Sequence, residues 1–101
     1  MSYLNVVKNL KFKVKKVECE GIAFYLRELS GRARLDFEKE KDLEIRVLKM
    51  MHSSLCDEKG TLSEEPKDFN AFIEAVPNKV LNVLVKEFSE LNIAKEENLK
   101  N

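Results

Sequence analysis

The sequence predicts an α+β fold in which an N-terminal β-hairpin precedes three or four α-helices. Over residues 10–27 apolar and polar side chains alternate as in strands, whereas from Ser30 to Leu91 apolar residues recur at helical spacing. The length of 101 residues, 44% of them hydrophobic, suits one small core. We therefore expect a single domain over residues 1–93, followed by a flexible C-terminal tail at residues 94–101.

The first hairpin strand is expected to start at residue 10, with its apolar side toward the core and its lysines toward solvent. The alternating residues are Leu10, Phe12 and Val14 on one side and Lys11, Lys13 and Lys15 on the other. Glu20-Gly21 supplies the turn, because glycine adopts backbone conformations that side chains resist. The second strand then alternates from Ile22, with Phe24 and Leu26 on its apolar side.

Helical signals begin at Ser30, a good N-cap for a helix containing Leu35 and Phe37. The pattern loses its apolar residues between Leu35 and Leu43, so one long helix and two helices with a break are both possible. A helical arc follows between residues 41 and 55, made of Leu43, Val47, Met50 and Met51.

A turn at residues 57–60, closed by Gly60, separates these helices from the last two. The next helix is expected to open at Glu64-Glu65-Pro66, and Pro77 ends it and starts the final helix. The apolar stripe of the helix before Pro77 consists of Phe69, Phe72, Ile73 and Val76.

The final helix, predicted from Asn78 to Leu91, has an apolar arc wider than a single packing seam needs. It could offer a groove to a partner or a second subunit, or it could be an ordinary core helix. The candidate partner-binding residues are Val80, Leu81, Leu84, Val85, Phe88 and Leu91.

The formal net charge is zero, but its distribution is uneven. Residues 1–35 carry eight basic and three acidic side chains, a net charge of +5, so residues 36–101 carry −5. This asymmetry has three possible interpretations: a basic face for an anionic ligand, head-to-tail docking of like subunits, or a local net charge that changes along a solvated surface without a function. The candidate docking charges are Lys11, Lys13, Lys15, Arg32 and Arg34.

The lysines of the first strand also allow a nucleic-acid surface, with Tyr25 as a stacking residue. Phe12 and Phe24, however, are expected on the core side, and lysines on an edge strand ordinarily prevent unwanted strand pairing. With a neutral net charge, we expect no nucleic-acid partner.

Residues that carry chemistry are scarce. His52 has no recognisable catalytic companions, and Cys19 and Cys56 with one histidine match no zinc pattern. The three glycines are isolated, which excludes a phosphate-binding loop. We therefore expect no enzyme activity and no cofactor. Without a signal peptide or a membrane span, we expect a reducing cytosol and free thiols.

Three segments in this order resemble the tail assembly chaperones of long-tailed (siphovirus) phages and prophages. They are FYLRELSGRARLDFE, MMHSSLCDEKGTLS and EEPKDFNAFIEAVPNKVLNVLVKEFSELN. The Ser-Leu-Cys-Asp-Glu-x-Gly stretch at residues 54–60 is the most distinctive. The resemblance covers about residues 10–93.

This resemblance implies a non-enzymatic helper that binds the tape measure protein, keeps it soluble and helps to recruit the tail tube protein. It also implies self-association, a place in the host bacterial cytoplasm, and absence from the mature virion. The alternatives are a virion component, such as a connector or terminator subunit, and a small nucleic-acid-binding regulator.

Overall fold

The computed structural model describes residues 3–62 and 68–92. It confirms the predicted α+β fold, because an antiparallel hairpin precedes four helices. A short helix before the hairpin and a two-residue third strand are additions that the sequence did not predict. The elements are α1 (Tyr3–Val7), β1 (Val14–Cys19), β2 (Ile22–Arg27), α2 (Gly31–Phe37), α3 (Leu43–Ser53), β3 (Leu55–Cys56), α4 (Phe69–Ala75) and α5 (Asn78–Asn92).

The hairpin closes through the predicted turn at Glu20 and Gly21. Both residues have positive φ angles, 53° and 77°, which is the hand that two-residue hairpin turns favour. The turn sets the register, so that Cys19 lies opposite Ile22.

The side of β1 that faces the core is opposite to the predicted one. β1 begins at Val14, which is 36% exposed, whereas Val17 is only 6% exposed. Because side chains alternate along a strand, Lys15 lies on the same side as Val17. Leu10 and Phe12 precede β1 and have no strand opposite them, so the alternation there does not belong to the hairpin.

Ser54 joins the end of α3 to the sheet. The residue is fully buried, and its hydroxyl donates a hydrogen bond of 2.7 Å to the carbonyl of Met51. Its own carbonyl accepts a bond of 3.0 Å from the N–H of Arg27. β3 follows directly and pairs antiparallel with β2, which gives a sheet in the order β1-β2-β3.

Two separate N-caps divide the first helical region. The Ser30 hydroxyl accepts from the N–H of Ala33 at 3.1 Å, as predicted, and Asp42 accepts from Ile45 at the same distance. An N-cap side chain satisfies one of the N–H groups that the first helical turn leaves free. Of the two alternatives, two helices with a break is therefore correct.

Arg46 stabilises the break from its position on α3. Its guanidinium donates to the carbonyl of Glu40 at 2.7 and 2.9 Å, and to the carbonyl of Glu38 at 3.4 Å. Carbonyls just past the end of a helix have no helical partner, so these bonds satisfy groups that would otherwise need water.

The predicted turn at residues 57–60 is present. Gly60 closes it with a φ of +90°, and its N–H donates to the carbonyl of Asp57 at 2.9 Å. The Asp57 carboxylate accepts from the N–H groups of Thr61 and Lys59, and the bond from Thr61 is the main reason that the pKa of this carboxyl is lowered.

Pro77 separates α4 from α5 as predicted, and its carbonyl accepts the first two N–H bonds of α5, from Val80 and Leu81. The predicted stripe is half-buried, and Phe72, Ile73 and Val76 of it pack against the core. The helix start expected at Glu64-Glu65-Pro66 and the tail expected at residues 94–101 lie outside the described residues.

The core lies where α5 packs against the hairpin and α3. Burial of its apolar side chains is the main source of stability. Leu43 departs from the predicted arc of α3, because at the first turn of that helix it is 68% exposed. The buried residues are Val17, Leu26, Met50, Met51, Val80, Leu81, Leu84 and Phe88.

Candidate functional site

The exposed apolar surface is concentrated in the N-terminal half. In the described residues after Ile45, no large apolar side chain is exposed to a comparable extent. Contiguous patches of exposed apolar side chains are uncommon on small domains and often mark binding sites. The exposed residues are Tyr3, Leu4, Val6, Val7, Leu10, Phe12, Val14, Ile22, Leu35, Leu43 and Ile45.

Most of this surface belongs to residues 3–13, which we call the N-terminal arm. The arm consists of α1, a turn and a segment without regular secondary structure, and none of its residues is buried. Its end is fixed to the hairpin, because the N–H of Lys13 donates to the Glu28 carboxylate at 2.8 Å. The guanidinium of Arg27 also lies over the ring of Phe12, 4.2 Å from its centroid.

Two clefts, one of them next to the arm, share part of their lining, and we call the two together the groove. The first, of about 910 Å³, lies between the arm and the end of α5, and the second, of about 320 Å³, lies between α2 and α3. They share Leu29, Ser30, Gly31 and Asn92. The apolar side chains that line the groove are Val7, Leu10, Phe12, Leu29, Leu43, Val47, Met50 and Leu91.

Asn92 fixes the wall that the two clefts share. Its side-chain carbonyl accepts from the N–H of Leu29 at 2.8 Å, and its amide donates to the carbonyl of Phe88 at 3.3 Å. The segment between β2 and α2 is thereby held against the last turn of α5. The groove is therefore built by the tertiary fold.

The five predicted docking charges do not form one surface. Lys11 and Lys13 are exposed on the arm, but Lys15 points to α5, where it pairs with Glu87 and, at 3.3 Å, with Glu90. The hydrogen bond to Glu87 is the main reason that the pKa of Lys15 is raised.

The two arginines lie on α2 and pair along their own helix. Arg32 lies 3.9 Å from Asp36, and Arg34 lies 3.7 Å from Glu38. Exposed pairs of this spacing contribute little to stability and leave the side chains free to exchange partners. Arg34 also lines the groove, whereas Arg32 does not.

The geometry assumed for a nucleic-acid surface is wrong. Lys15 faces α5 and therefore does not project with Lys11 and Lys13. Tyr25 lies opposite Lys16 in the hairpin, so it is not paired with Lys15. Phe12 was expected in the core but is 46% exposed, with the guanidinium of Arg27 over its ring.

The candidate partner-binding residues of α5 lie mostly inside the protein. Leu84 and Phe88 are fully buried, and Val80 and Leu81 are no more than 8% exposed. Val85 and Leu91 are half-buried against the same core. The structure therefore places α5 as a core helix, and among the six residues only Leu91 lines the groove.

The few residues that could carry chemistry are dispersed. His52 packs against Phe69 and Phe72, with ring centroids 5.6 and 5.0 Å away, and burial lowers its pKa. Cys19 and Cys56 are free thiols, and burial raises the pKa of Cys56. Within residues 3–62 and 68–92, no cluster of side chains could hold a metal ion.

Sequence reasoning missed α1 and the groove beside it. A signal for α1 exists, because Tyr3, Val6, Val7 and Leu10 have the spacing of one helical face. In the described part of the chain, no helix combines the length and apolar character needed to cross a lipid bilayer.

No protein-family model matches this chain, and no curated protein does. Among solved structures, it is similar to the tail assembly chaperone of bacteriophage HK97, with 23% sequence identity and a TM-score of 0.58. The match covers 88% of this chain and 96% of that chain. The two proteins share a fold. The resemblance expected from the sequence is therefore confirmed at the level of the fold.

Proposed function

We propose that this chain is a phage tail assembly chaperone, a non-enzymatic protein that binds the tape measure protein and keeps it soluble. The observation that carries the proposal is the shared fold with the HK97 tail assembly chaperone, over nearly the full length of both chains. Three separate sequence segments point to the same family.

The apolar surface of the N-terminal half supports this proposal. A chaperone of this kind has to cover apolar segments of another polypeptide before assembly, which requires accessible apolar side chains. Tyr3, Leu10 and Leu43 are 83%, 74% and 68% exposed.

The same proposal includes recruitment of the tail tube protein and self-association. The opposite net charges of residues 1–35 and 36–101 would orient like subunits head to tail, and complementary charge accelerates such docking more than it tightens it. The protein would act in the host bacterial cytoplasm and be absent from the finished virion.

Co-expression with the tape measure protein of the same phage tests the main activity. The tape measure protein should remain in the soluble fraction and co-purify with this chain, but precipitate when an unrelated small protein replaces it. Equal precipitation in both cases would contradict the proposal.

Mass spectrometry of purified particles separates the chaperone from a virion component. The chaperone should be absent from particles while abundant in the infected cell. A nucleic-acid-binding regulator would instead show binding that weakens steeply with salt.

A further inference from the structure

The groove beside the N-terminal arm is a preformed apolar channel without an occupant among the described residues. Its two clefts share the lining residues Leu29, Ser30, Gly31 and Asn92. Leu10 in one cleft and Leu43 in the other are among the most exposed large apolar side chains of the described residues. A ligand that lies across the shared residues would contact both leucines.

The polar side chains around the groove give it a net positive charge. Lys8, Lys11, Arg34 and Arg46 line it, against the acidic residues Glu28 and Glu38. Glu28 already accepts from the N–H of Lys13, and Glu38 pairs with Arg34. Among the described residues, neither Lys8 nor Lys11 has a carboxylate partner.

This charge argues against a second copy of the chain as the occupant. Two arms placed together would oppose three lysines to three lysines, with no acidic residue between residues 3 and 13. The described acidic residues after residue 50, such as Asp57 and Glu74, have no large exposed apolar side chain beside them, and Asp36 and Glu44, which lie beside the exposed Leu35 and Ile45, alternate with basic residues. Neither the arm nor the acidic surface of a second copy therefore complements both the charge and the apolar lining of the groove.

Some of the polar groups beside the groove are already bonded within the protein. The N–H of Leu29 is bonded to Asn92, the N–H of Lys13 to Glu28, and the Ser30 hydroxyl accepts from Ala33. An extended peptide needs partners for its own N–H and carbonyl groups, and on this side the arm, at Lys11 and Phe12, has backbone groups without a hydrogen bond among the described residues. A helix satisfies these groups internally and therefore needs no backbone partners from the groove.

We infer that the groove binds an amphipathic α-helical segment of another polypeptide, with apolar residues on one face and acidic residues flanking them. The apolar face would cover Leu10, Leu29 and Leu43, and the carboxylates would meet Lys8 and Lys11. This inference rests on the proposed chaperone function and specifies the chemistry of the segment that the chaperone covers.

Two synthetic peptides test the inference. Both are about 18 residues long, roughly five helical turns, with leucines at i, i+3, i+4 and i+7. One carries glutamates and glutamines beside the leucines, and the other carries lysines and glutamines. Fluorescence anisotropy at low salt should show that the glutamate peptide binds about tenfold more tightly.

Matched variants locate the binding site. Leu10→Ser combined with Leu43→Ser should weaken binding of the glutamate peptide about tenfold or more. Ile22→Ser is the control, because Ile22 is 56% exposed but lies outside the groove. Circular dichroism and thermal unfolding should be nearly unchanged in all variants, since these side chains are exposed.

Charge reversal gives an independent measurement. Lys8→Glu with Lys11→Glu should weaken binding of the glutamate peptide and strengthen binding of the lysine peptide. Lys86→Glu, on the exposed side of α5 and outside the groove, should change neither affinity by more than about twofold. Equal binding of both peptides, or binding unaffected by the groove variants, would overturn the inference. The inference would also be overturned if the leucine variants lost self-association and neither peptide bound the unaltered chain. A second copy of the chain would then be the occupant of the groove.

Co-expression separates failure of this inference from failure of the proposed function. If the unaltered chain fails to keep the tape measure protein soluble, the chaperone function fails whatever the peptides do. If the chain with both leucine substitutions retains the tape measure protein fully, the chaperone function stands and the groove is not its site.

Discussion

Lys15 of β1 forms an ion pair with Glu87 of α5, and its ammonium also lies 3.3 Å from Glu90. The pair joins the hairpin to the last helix across the margin of the core. It also shows why a lysine lies on the core-facing side of β1, beside Val17. The aliphatic part of the lysine continues the apolar face, and its charge reaches the helix.

Lys15→Met should lower the free energy of unfolding by less than about 1 kcal/mol, because solvent screens a pair of this exposure. The lysine side chain is 38% exposed. Since the folded protein raises the pKa of Lys15 above 10.5, the contribution is complete at neutral pH and is lost only as pH rises through that folded value. Urea unfolding at low and high salt measures it.

Lys16→Met is the control for this prediction. Lys16 is on the opposite side of β1, and its pair with Glu18 is more exposed, so its replacement should have no measurable effect. A loss above about 2 kcal/mol for Lys15→Met, or a larger loss for Lys16→Met, would contradict the prediction.

Arg27→Met should loosen the N-terminal arm. The guanidinium lies over Phe12 and also donates to the carbonyl of Gly60 at 3.2 Å, so it ties the arm to the turn. A partly exposed contact between a cation and an aromatic ring contributes about 0.5–1 kcal/mol. Trypsin should therefore cleave after Lys11 about two to five times faster in the variant.

Arg32→Met is the matched control, because Arg32 is exposed on α2 and does not contact the arm. It should leave the cleavage rate after Lys11 unchanged. If Arg27→Met also leaves that rate unchanged, the contact with Phe12 does not hold the arm.

His52 should make the protein less stable below neutral pH. Burial against Phe69 and Phe72 lowers its pKa beneath the ordinary 6.5, although Asp68 opposes the shift. As pH falls below 6.5, the unfolded chain takes up the proton first, so the free energy of unfolding decreases until the folded pKa is passed.

His52→Gln should remove this part of the pH dependence. Denaturant unfolding at about pH 7.5 and about pH 5.5 compares the two proteins, and the difference between the two pH values should be smaller in the variant. Asp57 does not interfere, since its lowered pKa confines its effect to pH values below 3.8. An equal difference in both proteins would show that other groups cause it.

The hairpin shows how far local pattern determines a fold. The turn at Glu20-Gly21 was predictable, and with it the pairing of Val17 with Phe24, which fixes the core-facing side of β1. The alternation at residues 10–14 pointed to the side of β1 that carries Val14, which faces away from the core. It did so because a two-residue period does not show where a strand begins, and Leu10 and Phe12 precede β1. The pairing set by the turn is therefore a better guide to the core-facing side of β1 than the alternation that precedes the strand.

The groove could not be predicted in the same way. Its walls come from the arm, α2, α3 and the end of α5, and its shape depends on the bond between Asn92 and Leu29, which lie 63 residues apart. Sequence patterns identify apolar side chains but do not show which of them tertiary packing leaves uncovered. Leu43 and Leu84 both lie on predicted apolar arcs, yet one is exposed and the other is in the core.

This difference leads to opposite expectations for the two leucines. Leu84→Ala should lower the free energy of unfolding by about 2–5 kcal/mol, because it leaves a cavity among fully packed side chains. Leu43→Ala should change it by no more than about 0.5 kcal/mol, since the side chain is 68% exposed. Denaturant unfolding of both variants measures these values. A comparable loss in both would mean that Leu43 is covered in solution, and the groove would then not be open at that end.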